Sequence, residues 1–187
     1  MARNDCLDCV KNDEDCCSSF YSRFLTIGDA KRISRRTGKR PSSFIRFAEL
    51  SENDRKTELF LKRPHGYYYD LALGGKLLQL KALKDGSCLF FSKGSCSIYA
   101  SRPLICRVFP FWYHKNGRII VDNNGVDCPL VCGKEPPNSN PSASRIKEGL
   151  KRMGCRKDEM ERLLYQFRKE MEEYRRGIIP FVQKNGL

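Results

Sequence analysis

Cys96 and Cys106 stand ten residues apart in CSIYASRPLICRVFPFWY, with Tyr99, Arg102, Pro103 and Arg107 close by and an apolar run from Phe109 to Tyr113 behind them. Two thiols beside two arginines in so apolar a segment fit buried core thiols, a disulfide or half of a metal site. The other cysteines bear on the choice. Cys6 and Cys9 form a Cys-x-x-Cys pair, Cys16 and Cys17 are adjacent, Cys88 and Cys128 flank the central segment, and Cys132 and Cys155 follow. A two-residue spacer lets one turn present both sulfurs to one ion. Dithiol redox motifs share that spacing, but no strand–helix–strand pattern surrounds it here and more cysteines follow at once. Neighbouring side chains do not easily ligate one tetrahedral ion together, so either Cys16 or Cys17 can be the ligand. Cys88 and Cys96 sit at opposite ends of CLFFSKGSC, where a tight turn would bring their sulfurs near each other. Cys155, alone in a helical stretch, reads as an ordinary buried thiol.

The arginines then have a reason. Thiolates gathered around zinc or an iron–sulfur cluster leave a net negative charge, and a partly buried anion needs cations and hydrogen-bond donors around it. Arg102 and Arg107 are placed in sequence to supply both. Tyr99 and the aromatic run would wall the site from water, and Pro103 would stiffen the loop before Cys106.

These readings depend on where the chain works. Ten cysteines among 187 residues is a high share, yet the polar, acidic start MARNDCLDCVKNDEDCC has no apolar stretch of the kind a secretory leader needs. No run approaches the ~18 apolar residues of a membrane span. The expectation is a cytoplasmic chain with reduced thiols and no membrane, where clustered cysteines bind metal more often than they pair. The charge, 35 basic against 22 acidic residues, net +13, favours acidic partners: an acidic protein surface or nucleic acid. Residues 31 to 63 hold eleven Lys or Arg against four Asp or Glu, densest at KRISRRTGKR. Such a segment attracts phosphate or forms a solvated helix face.

The elements that must position the cysteines follow from pattern. SFYSRFLTIGDAKRISRRTGKRP reads as a short strand entering a helix, capped by Thr26 or Asp29 and ended by Gly38. SSFIRFAELSEND reads as a second short helix. GYYYDLAL and KLLQLKAL read as strands joined at Gly74-Gly75, and two more hairpins centre on Lys93-Gly94 and Asn116-Gly117. Residues 132 to 144 form a loop rich in Pro, Asn and Ser. Beyond it Leu163, Leu164, Phe167, Met171 and Tyr174 recur at helical spacing and give one apolar stripe for the core. The expected fold is α+β: a small antiparallel sheet of hairpins flanked by helices and closed by cysteine–metal coordination. Residues 1–135 would form the cysteine-cluster domain and 136–187 a helical extension packed on it.

The order Cys6-x-x-Cys9, Cys16-Cys17, Cys88, then Cys96-Ser-Ile-Tyr99-x-x-Arg102-Pro103-x-x-Cys106-Arg107-x-Phe109-Pro110, then Cys128-Pro129, resembles the YkgJ-type cysteine-cluster family over roughly residues 1 to 135. The resemblance implies chelation of zinc or iron through Cys6, Cys9, Cys16 or Cys17, Cys88, Cys96, Cys106 and Cys128. One departure is plain: VKNDED separates Cys9 from Cys16, three residues more than the Cys-x-x-Cys-x-x-x-Cys-Cys pattern associated with the family. Some members are linked to flagellin lysine N-methylase, which would imply methyl transfer to protein lysines. No glycine-rich loop after a strand supports an S-adenosylmethionine fold here, and His65 and His114 have weak claims as ligands. Three functions therefore stand: a metal-binding protein holding zinc or an iron–sulfur cluster, a metal-dependent lysine methyltransferase, and a basic nucleic-acid-binding protein with a structural metal.

Overall fold

In the computed structural model, residues 23–49, 75–113, 117–121 and 143–187 are described. The first helix, α1 (Ile27–Thr37), has a capping box: the Thr26 side chain accepts from the Asp29 backbone N–H, and the Asp29 carboxylate accepts from the Thr26 N–H. Gly38 ends it in the left-handed conformation at φ 69°, where a side chain would be strained. Both ends lie where the sequence pattern puts them.

The next segment departs from expectation. Only one helical turn forms, α2 (Pro41–Phe44), and the chain then straightens into β1 (Ile45–Glu49). β1 pairs antiparallel with β2 (Lys76–Leu80), Ile45 opposite Leu80 and Glu49 opposite Lys76. Pairing overrode a weak helical pattern, because Ile45, Leu78 and Leu80 gain burial as partners that a lone short helix would not offer. The first strand of the proposed hairpin across Gly74-Gly75 cannot be compared, and the partners that β2 has among the described residues lie elsewhere in the chain. The other edge of β2 is taken by residues 23–25: Leu25 N–H donates to the Leu78 carbonyl and Leu80 N–H to the Arg23 carbonyl, both at 3.0 Å. The segment 66–73 lies outside the described residues.

Two further ladders match their turns. β3 (Phe91–Ser92) and β4 (Ser95–Cys96) meet across Lys93 and Gly94, whose φ values of 50° and 70° are those of a tight hairpin turn. β5 (Phe111–Tyr113) pairs with β6 (Ile119–Val121). Among the described residues these ladders do not merge into the single central sheet expected. Each remains two-stranded, separated along the chain by a 3₁₀ turn at Tyr99–Ser101, the short helix α3 (Leu104–Val108) and the cis Phe109–Pro110 bond. Prolines at 103 and 110 remove two donors that a continuous ladder would need.

Helix α4 (Ala143–Arg152) precedes the long helix α5 (Lys157–Asn185). The expected stripe is buried, and Met160 and Ile178 extend it. The helix continues past Gly177 and through Pro180, with Ile178 packed in the core and Ile27 of α1 against Gly177. One apolar cluster runs from Phe24 to Ile178 and joins α1, the ladders, α3 and α5. Phe24 and Tyr174 meet edge to face at 5.4 Å, and the Tyr174 hydroxyl accepts from the Leu78 N–H at 3.0 Å, tying α5 to β2.

A charged network ties α1 to α5. Glu170 accepts from Arg32, from the Thr26 hydroxyl and from Gln166. Gly28 leaves room for this; a Cβ there would run into the Glu170 carboxylate. Burial alone would push Glu170 up, but the hydrogen bonds outweigh it and hold the carboxyl below its ordinary value of 4.5. A depressed folded value means stability that is present above pH 4.5 and lost as pH falls through the folded value. Replacing Glu170 with Gln is expected to cost about 2 kcal/mol at neutral pH and to flatten the acid limb of stability below about pH 4.5. Unchanged acid dependence in that variant, read by denaturant melts, would remove Glu170 from this role.

Candidate metal centre

Three of the predicted ligands lie in the described residues, and local backbone structure sets each. Cys88 is buried and bridges Ala82 just after the Asp85–Ser87 turn, where Asp85 accepts from both the Ser87 N–H and hydroxyl. The Arg23 guanidinium donates to the Gly86 carbonyl at 3.4 Å and holds that turn from the other side. Cys96 ends β4 opposite Phe91, so the hairpin does not pair Cys88 with Cys96 directly. Ser97 links the two turns instead: its N–H and hydroxyl both donate to the Phe90 carbonyl, at 2.9 and 3.1 Å. Negative charge at Cys88 works against ionisation of Cys96.

The donor set around these sulfurs suits metal-bound thiolates. The backbone at Phe90 and Phe91 favours a thiolate at Cys88, and that at Ile98 a thiolate at Cys96. Arg23 adds positive charge at Cys88 and Arg102 at Cys96. Burial outweighs these effects and pushes both thiols up from their ordinary value, so in the bare protein they stay protonated at neutral pH. A bound cation removes that obstacle, since metal ligation stabilises the thiolate directly. The Arg102 Nε points the same way. It is buried with no hydrogen-bond partner among the described residues, while the guanidinium stacks on Tyr99 at 3.8 Å. An orphaned donor beside a sulfur is satisfied once that sulfur carries charge.

Cys106 is half-buried on α3. That helix is placed by a remote group: the Leu104 N–H donates to the Asp29 carboxylate at 2.9 Å. Asp29 is fully buried and also takes a 2.5 Å contact from Arg32. Sequence pattern marked Asp29 as a cap of its own helix; nothing in it signalled the tie across 75 residues to Leu104. Arg107 is half-buried too. Burial lowers its pKa first, and the like charges of Arg102 and Arg32 add to this, with Asp29 and Glu159 in partial compensation. Its charge also reaches Cys155, whose thiol burial nonetheless pushes up to about 11.

No three Cys, His, Asp or Glu side chains converge among the described residues. The structure places Cys88 and Cys96 on two turns that Ser97 ties to each other and does not gather Cys106 into one group with both. Cys6, Cys9, Cys16, Cys17, Cys128, His65 and His114 lie outside the described residues. A cleft of about 1350 Å³ lies elsewhere, between β6, α4 and the start of α5, with Arg118, Lys147 and Lys157 in its walls and Cys155 beside them.

Residues 5–133 match the model of the CxxCxxCC family, described as "Putative zinc- or iron-chelating domain". The chain belongs to this family. The YkgJ-type resemblance fits it, and the match takes in every cysteine except Cys155. Against the CxxCxxCC spelling itself, the six residues between Cys9 and Cys16 make the spacer four longer, one more than expected above. No curated protein and no solved structure matched the chain. Among the described residues no helix is long and apolar enough to cross a membrane.

Proposed function

We propose that this CxxCxxCC protein holds zinc or an iron–sulfur cluster through thiolates, with Cys88 and Cys96 as two ligands and Cys106, Cys128 and cysteines of the first group as the others. The observation that carries this is the Arg102 Nε, buried with no hydrogen-bond partner among the described residues, on a guanidinium whose charge favours the Cys96 thiolate as that of Arg23 favours the Cys88 thiolate. A disulfide or an apolar thiol pair has no use for such donors. Bound there, the metal would supply a cross-link between segments far apart in sequence, and folding free energy with it. Arg102 offsets the negative charge beside Cys96, and Tyr99 holds the guanidinium in place. In this reading the chain works where thiols stay reduced, as in the cytoplasm.

The test is metal content per chain after anaerobic purification, read with the visible spectrum and with proton release on loading. Stoichiometric zinc in a colourless protein would mean a closed structural site. Iron with matching sulfide and a band near ~400 nm would mean a cluster. Because burial keeps Cys88 and Cys96 protonated in the bare protein, loading at pH 7 is expected to release about one proton per thiol ligand. Metal-free protein that neither binds added zinc or iron nor releases protons would overturn the proposal.

A further inference from the structure

We infer that the exposed face of α1 and the turn after it form a surface for the phosphate backbone of nucleic acid. Lys31, Arg35, Arg36, Lys39 and Arg40 are all exposed, within ten residues. None of the five side chains has an ion pair among the described residues. The one acid of the helix, Asp29, is fully buried and committed to Thr26, Arg32 and Leu104. The helix is fixed at both ends by its capping box and by Gly38, and on its inner side by Ala30 and Ile33 in the core. A rigid frame thus displays positive charge that no acidic side chain among the described residues pairs with.

The occupant follows from what the face lacks. Protein interfaces draw their energy from a buried apolar or aromatic centre, and the exposed residues between 31 and 40 include no apolar side chain. A membrane-surface helix lays an apolar face into the bilayer, and here that face is already in the core. Charge alone remains, and a phosphodiester backbone is the polyanion that binds through charge alone, independent of sequence. Three of the five cations are arginines, whose forked donors match phosphate oxygens.

The test uses the metal-loaded protein and a labelled 20-base-pair DNA duplex and its RNA counterpart, read by fluorescence anisotropy between 50 and 200 mM KCl. One variant carries Lys31→Gln, Arg35→Gln, Arg36→Gln and Lys39→Gln. A control removes the same charge elsewhere, with Lys147→Gln, Lys151→Gln, Lys169→Gln and Lys184→Gln. The first is expected to weaken binding at least tenfold and to lower the salt slope by about 4, while the control loses less than threefold. Metal content should be unchanged in both, which separates this surface from the cysteine centre. Equal losses in the two variants would mean diffuse attraction by net charge and overturn the inference. So would unchanged binding in the first variant.

Discussion

Cys96→Ser is expected to abolish stoichiometric metal and to lower solubility with it. A serine hydroxyl stays protonated where a thiol can ionise, so the centre loses a ligand and a compensated charge together. Structural zinc contributes about 10–16 kcal/mol of apparent binding energy in small domains, more than the total stability of most folds. Losing even part of it should drop the melting temperature by about 10 °C or more. Cys106→Ser is expected to behave likewise through the same proposed ligand set. Cys155→Ser is the control: its thiol is high in pKa, donates to the neighbouring Arg156 carbonyl and lies in the wall of the separate cleft. Metal content by elemental analysis and a thermal melt, with and without chelator, read the result. Chelated wild type should resemble Cys96→Ser. Full metal retention in both Cys96→Ser and Cys106→Ser would remove these residues from the site.

Asp29→Ala is the second large effect, and it needs no metal to appear. The Asp29 carboxylate accepts from the Thr26 and Leu104 N–H groups and from Arg32, at 0 % exposure. Burial pushes this carboxyl up, and Arg32 and Thr26 pull against that. Removing one partner of a buried charged network costs about 3–5 kcal/mol, because the others are left uncompensated. Two backbone N–H groups would also lose their acceptor. Asp29→Asn keeps an acceptor oxygen and should cost about half as much. Denaturant melts of both, compared with Glu170→Gln, would resolve the network. A loss below about 1 kcal/mol in Asp29→Ala would show that water replaces the carboxylate, contrary to its burial.

Part of this molecule was legible in the chain itself. The α1 caps, the Lys93-Gly94 turn and the α5 stripe follow from local rules: a side-chain oxygen reaching an N–H three residues on, glycine at positive φ, apolar residues at helical spacing. The family, too, was readable from the cysteines and the Tyr99 to Pro110 segment. Tertiary structure decided what depends on distant partners. β1 is a strand because β2 is there to pair with it, although Ile45–Glu49 alone read as helix. β2 pairs with β1 and with residues 23–25, because strand pairing rewards burial of Leu78 and Leu80 whatever their distance in sequence. The bond from Leu104 to Asp29 crosses 75 residues, and no spacing rule reports a contact between a carboxylate in one helix and the first N–H of another. Sequence set the chemistry of the thiols, since residue type alone decides what a sulfur can ligate. The fold decided how they are placed, since Ser97 and the Phe90 carbonyl, and not the hairpin register, tie the turn after Cys88 to the chain after Cys96.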